Sequence, residues 1–376
     1  MTLRPPIQSG IPTPVDTPPE FTFKQRVAAF WTWYAGVAER FHRHFGGEHD
    51  EDITDEVSDK VDELLPGMAW VFGPGEKPGG HSFTLTGEGI GFKQMLARYW
   101  LEQAPEIDGW CFHAERVASE DPGHFSLRFG ELVFKVMEFW VTPEVDEENE
   151  CVDLTVWHPL ADQIEVKRCQ TALFLVLDEI FGETGTGRWI GGMEFSRKKL
   201  GPSMPILELK EFVEATRADR GWKFVHPCDS WTSYRIPPEK RGDKPRFDTI
   251  AGTSRGWKTL RNYLHEPDDF SDPFREFGAE WVYLRFPSSR LPEGGEVDAR
   301  GEMEDAIEAA LAGERSGISL GGALGTRSAH LDFLIFDGER SLAVIREAAR
   351  KAGVPAETRL EFLDSGRPGM PLFPMS

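Results

Sequence analysis

The run Gly317–Asp364 constrains this 376-residue chain more than any other, because its elements and their connections can be read together. Leu331, Phe333 and Ile335 recur at every second residue, the period of a strand with one face in a core. Ile318 and Leu320 predict a short strand before them, returned by a turn through Gly321, Gly322 and Gly325. Asp337 stands at a helix start, where its carboxylate would reach the free amides of the first turn. Leu342, Ile345, Ala349 and Ala352 form the stripe of that helix, Gly353 its cap, and Pro355 a block to continuation. Leu360 and Phe362 add a closing strand. Upstream, Val282, Leu284 and Phe286 alternate, and Met303, Ala306, Ile307, Ala310 and Leu311 recur at helical spacing. The predicted order is βαββαβ, a ferredoxin-like module over 279–365 with both helices on one face of a four-stranded antiparallel sheet.

The N-terminal half predicts an α+β domain over 21–220, a mostly antiparallel mixed sheet with helices on one face. Val27, Phe30, Trp31, Tyr34, Val37, Ala38, Phe41 and Phe45 make one apolar stripe, a helix over Lys24–Phe45 ended by Gly46-Gly47. Strands are expected at Met68–Phe72, His81–Thr86, Gly109–Glu115, within His124–Val141, at Cys151–Trp157 and at Trp189–Phe195. Thr142–Glu150 reads as an acidic loop. Helices are expected around Phe92–Trp100, Cys169–Phe181 and Pro205–Ala218. Residues 1–20, dense in proline and lacking an apolar core, read as a disordered arm rather than a secretory signal. Residues 221–278 form an aromatic connecting region of poor periodicity, expected to pack against both domains, and 366–376 a surface tail.

The formal charge of −21 argues against a nucleic-acid partner, which needs lysine and arginine in excess. It suits a protein partner with a basic surface. No apolar run is long enough to span a membrane. Cys111, Cys151, Cys169 and Cys228 form no Cys-x-x-Cys pair, and reduced thiols in a cytoplasmic protein are the expectation.

Each motif with chemical promise has a plainer explanation. Gly182–Arg188 mimics a phosphate-binding loop, but arginine replaces the lysine, Trp189 replaces the magnesium-binding hydroxyl, and the loop follows a helix. It reads as a helix cap running into a flexible turn. His42 and His44 are two apart on a helix and diverge. Cys111 with His113, and His226 with Cys228, each lack the second pair a zinc site needs, so no metal or cofactor is assigned. There is no Gly-x-Ser-x-Gly elbow. The acid runs Glu48–Glu56 and Glu144–Glu150 read as solvated, and no catalytic residue is assigned. Candidate binding residues are Gly321, Gly322 and Arg327, in a turn able to form an anion-binding nest. To these are added Trp33 and His42, which lie off the buried stripe of the first helix.

Phe30-Trp31-Thr32-Trp33, Phe83-Thr84-Leu85-Thr86 leading into Gly87-Glu88-Gly89, Ala104-Pro105-Glu106 and Gly109-Trp110 together resemble the bacterial family catalogued as domain of unknown function 695 (DUF695). The resemblance covers about 21–157. It implies an α+β fold and a bacterial cytoplasmic setting, and brings no catalytic residues. The C-terminal module resembles small α+β modules of toxin-immunity proteins. The functional expectation is a non-catalytic, acidic, cytoplasmic binding protein, regulatory or toxin-neutralising. The alternatives are an enzyme with a small-molecule site in an interdomain cleft, and a homodimeric structural subunit.

Overall fold

A computed structural model describes residues 21–47, 52–129, 131–163, 166–242 and 244–373. The arm 1–20, the start of the acid run at Glu48 and the last three tail residues lie outside them. The fold is α+β. The chain divides into two units, one of residues up to Met68, Glu102–Asp108 and residues from Ser230, the other of Ala69–Leu101 and Gly109–Asp229.

The first unit begins with helices α1 (Phe23–Phe45) and α2 (Thr54–Leu64). The α1 stripe is buried as its spacing predicts, through Phe23, Val27, Phe30, Trp31, Tyr34, Ala38 and Phe41. Its N-terminus explains why it groups with the C-terminal half and not with the strands that follow it. A capping box between Thr22 and Gln25 satisfies part of the first turn. The Phe23 and Lys24 amides donate instead to the carbonyls of Gly278 and Phe336. The amides that a helix start leaves unpaired are thus satisfied by chain about 250 to 310 residues away.

The second unit contains β1 (Ala69–Pro74), β2 (His81–Thr86), α3 (Gly91–Glu102), β3 (Trp110–His113), β4 (Ser126–Phe129), β5 (Leu132–Lys135), β6 (Trp140–Asp146) and β7 (Cys151–Trp157). It continues with α4 (Val166–Phe181), α5 (Glu183–Trp189), β8 (Ile190–Phe195), β9 (Met204–Pro205) and α6 (Leu209–Arg220). The strands pair as three sheets, β1-β2-β3, β4-β5 and β8-β7-β6-β9. Two ββαβ arrangements recur, since β2 pairs parallel with β3 across α3, and β7 with β8 across α4 and α5. The expected acidic loop Thr142–Glu150 is corrected: β6 runs on to Asp146, paired with Cys151, because the β6–β7 hairpin satisfies backbone that a loop would leave to water.

The rest of the first unit holds β10 (Thr232–Tyr234), β11 (Thr249–Ser254), α7 (Trp257–His265), β12 (Glu280–Pro287), α8 (Glu296–Gly313), β13 (Gly317–Gly325), β14 (Ser328–Ile335), α9 (Gly338–Lys351), β15 (Arg359–Phe362) and β16 (Met370–Pro371). Strands β13-β14-β12-β15 stand in the ferredoxin-like order, all antiparallel, and β11, β10 and β16 widen the sheet to seven strands. Val282, Leu284, Leu331 and Phe333 pack against Ile307, Leu311, Leu342 and Ile345 of α8 and α9. The aromatic connecting region is therefore divided: from Ser230 onward it supplies β10, β11 and α7 to this unit.

Two local expectations are corrected here. Gly321 and Gly322 lie inside β13, at a bulge between Ser319 and Gly321, and the turn falls at Thr326–Arg327. Asp337 does precede α9, but its side chain caps nothing there. Its carboxylate accepts from the Thr22 hydroxyl at 3.1 Å and lies 3.6 Å from the Lys24 ammonium, holding the start of α1.

His158 carries a pH dependence in the second unit. It is buried between the rings of Phe134 and Phe139, at centroid distances of 4.7 and 4.4 Å. The Leu160 amide donates to Nδ1, so that nitrogen carries no proton. Burial lowers its pKa to about 4, against the attraction of Glu138. The unfolded chain therefore binds the proton more readily, and the stabilisation present above pH 6.5 is lost as pH falls toward 4. The wild-type chain should lose about 3 kcal/mol across that window relative to His158→Gln in paired denaturant titrations. The difference isolates His158 from Asp178 and Asp272, whose raised carboxyls titrate there in the opposite sense.

Candidate functional site

The polar constellations singled out by sequence turn inward. The plainer reading of Gly317–Arg327, a hairpin turn with a bulge, is what the β13–β14 connection shows, and three backbone amides at its turn meet one residue. The Asp248 carboxylate accepts from the Arg327 and Ser328 amides, each at 2.8 Å, while the Thr326 amide donates to the Asp248 carbonyl. Burial opposes the charge on Asp248, yet these amides and His330, 4.0 Å away, hold its carboxyl well below the usual range. The Arg327 guanidinium donates to the Gly242 carbonyl. The anion that the Arg327 and Ser328 amides meet is a side chain of the same protein.

On the sheet face opposite α8 and α9, Asp332 and Arg246 form a buried bidentate pair at 2.5 and 2.8 Å. Arg246 is 0% exposed and adopts a left-handed backbone, φ 71°. Its guanidinium lies over the Tyr283 ring and donates to the Tyr234 hydroxyl at 3.4 Å. Trp281 Nε1 completes the shell of Asp332 at 3.0 Å.

In the second unit, Gly182 takes φ 74° and starts a new helix where a flexible turn was expected. The cause is tertiary. Glu183, the first residue of α5, is buried and accepts from the Gly89 amide, Gln94 Nε2, the Arg116 amide and the Thr86 hydroxyl. Thr184 donates to Glu115, whose other oxygen pairs with His226 Nε2 at 3.1 Å. Asp178 beside them is pushed up to about 6 by burial, with Glu183 and Glu88 adding repulsion and Arg116 opposing it. These acids gather at the ends of the parallel strands β2 and β3, where open sheets often place ligands. The chain's own donors already occupy both oxygens of Glu183. Cys228 follows His226, donates its amide to His226 Nδ1, and has its thiol pushed up to about 11 by burial.

The other sequence candidates are placed as follows. Trp33 is half-buried and packs edge-on to Phe30, Tyr34 and Phe41. His42 is half-buried on the last turns of the same helix. Cys111 and His113 share a strand face, Sγ to Nε2 3.7 Å.

What turns outward is α8. A Cβ on Gly322 would stand 2.1 Å from Arg300 Nη1, so glycine here makes room for that guanidinium. Arg300 fills the space and pairs with Glu304 at 2.7 Å, and Glu304 in turn accepts from Ser319. With its base drawn inward, α8 exposes Asp298, Glu302 and Asp305, at helical spacing along one ridge. About a quarter-turn round the helix lies a groove of about 660 Å³ between α8 and α9. Ala306, Ala310, Ala343, Val344, Ala348 and Ala352 line it, with Glu314, Glu347 and Lys351 at its margin. Sequence reading placed Ala306 and Ala310 in the buried stripe; Ala310 does pack against the core, whereas Ala306 is exposed, and both line the groove.

Comparison with protein-family models, with curated proteins and with solved structures finds no match to this chain. No helix among the described residues is long and apolar enough to cross a membrane.

The buried pair yields a direct test. Asp332→Ala leaves Arg246 charged and unpaired, and should cost about 3–5 kcal/mol in urea unfolding. The double change Arg246→Met, Asp332→Leu should recover most of that loss.

Proposed function

We propose that this chain is a non-catalytic binding protein whose partner presents an amphipathic helix with basic flanks to the α8–α9 groove. The activity on this reading is binding itself, regulating or neutralising the partner. The observation that carries it is the outward surface of α8, with an all-acidic ridge, Asp298, Glu302 and Asp305, beside an alanine-lined groove. Small side chains allow close approach of a helix backbone, and apolar anchors at helical spacing are the usual occupants of such grooves. Lysine or arginine on the flank of that helix would meet the ridge. The net charge of −21 would speed the encounter at low salt.

The experiment is capture at low and high salt by the full chain and by Asp298→Asn/Glu302→Gln/Asp305→Asn. These side chains are exposed, so the variant should keep its thermal midpoint. The expected result is one stoichiometric partner, released by salt and lost in the triple variant. The same variant should bind a lysine-flanked, leucine-faced helical peptide at least tenfold more weakly. A peptide or partner bound equally by both proteins would overturn the reading.

A further inference from the structure

The end of the β6–β7 hairpin gathers a second, unrelated set of groups. Register pairs Asp146 with Cys151, and the two-residue strand period returns Asp153 to the same face as Cys151. The Cys151 sulfur and one carboxylate oxygen from each aspartate all lie within 4.8 Å of one another. Cys151 is 8% exposed, and among the described residues its thiol joins no disulfide and no hydrogen bond while lying in the cluster. Both aspartates are already oriented. Asp146 Oδ1 accepts from the Glu148 and Asn149 amides, and its Oδ2 from Asn149 Nδ2. Asp153 Oδ1 accepts from the Gly192 amide at 2.5 Å. Gly191 of the neighbouring strand packs directly against Asp153 and Cys151. A Cβ on Gly191 would stand 2.3 Å from Asp153 Oδ1 and 2.7 Å from Cys151 Sγ.

We propose that Asp146, Cys151 and Asp153 form a three-ligand site for a borderline-soft divalent cation, of which Zn²⁺ is the type. One thiolate and two carboxylates suit Zn²⁺ better than Ca²⁺ or Mg²⁺, which take oxygen alone. Tetrahedral bonds of about 2.3 Å to sulfur and about 2.1 Å to oxygen need donors about 3.6 Å apart. Side-chain rotation at a hairpin end supplies the remaining contraction, and the fourth position stays open to water. The ligand charges with Zn²⁺ sum to −1, and Arg188 nearby is already paired with Glu150 at 2.6 Å. Binding exchanges the Cys151 S–H proton for an S–Zn bond and releases one H⁺.

The test is Co²⁺ and Zn²⁺ titration of the full chain under reducing conditions. Co²⁺ should produce a near-ultraviolet thiolate charge-transfer band saturating at one equivalent, displaced by Zn²⁺. Cys151→Ser should abolish the band. Asp153→Asn should weaken binding at least tenfold, and Gly191→Ala should do so while leaving every ligand in place. Because Cys151 is buried, near-ultraviolet circular dichroism checks that Cys151→Ser is folded, and Asp153→Asn remains informative if it is not. The proposal is overturned by a wild-type chain that shows no band, or by a band that survives Cys151→Ser. A band lost instead in Cys111→Ser would move the metal to Cys111 and His113, and would overturn it equally.

Discussion

The Asp332 carboxylate lies in the middle of a seven-stranded sheet, on the face away from α8 and α9, and a charge there must be neutralised in place. Much of the first unit is shaped around that requirement. Arg246 reaches it only by adopting a left-handed backbone, which a non-glycine residue accepts at some cost. The segment carrying Arg246 then leads directly into Asp248 and β11, so one loop supplies both the cation for Asp332 and the anion for the β13–β14 turn. Tyr234, Tyr283 and Trp281 close around the pair. Replacing two charges by apolar residues is often neutral in such settings, and what the pair does here geometrically is tie the segment before β11 to β14.

The same logic of internal satisfaction recurs at Glu183, where one buried carboxylate collects donors from the β2–α3 loop, from α3 and from the end of β3. A short helix with two glycines has poor intrinsic propensity. It forms because its first side chain is a hub. Such hubs resemble catalytic clusters in composition, with acids, a histidine and a raised carboxyl at Asp178. At Glu183 four donors of the chain converge on one buried carboxylate. The outer face of α8 differs, since Asp298, Glu302 and Asp305 stand exposed there.

Arg300 links the two. Its inward turn depends on Gly322, and its absence from the surface leaves Asp298, Glu302 and Asp305 unopposed on the outer ridge. A glycine in a strand thereby sets the charge of a helix face. The glycines of β13 stood out in the sequence, where a bulged hairpin was weighed against an anion-binding nest, and the bulged hairpin is what they form. The turn amides lie at 326–328, and Asp248 meets them.

Periodicity determined the ferredoxin-like order of the C-terminal module, the α1 stripe and the β7 strand, because each is a local pattern of burial that repeats at 2 or 3.6 residues. Composition determined the acidic character. Tertiary structure alone decided what α1 packs with, since its free amides find carbonyls at Gly278 and Phe336, and it alone took the Asp337 carboxylate from α9 to α1. It also decided the β6–β7 register that places Asp146 opposite Cys151, and the fate of every buried charge. The physical reason is common to these cases. A side chain's apolar face is specified by its neighbours in sequence, whereas a buried charge or an unpaired amide is satisfied by whichever partner the fold brings within about 3 Å, and that partner can lie anywhere in the chain.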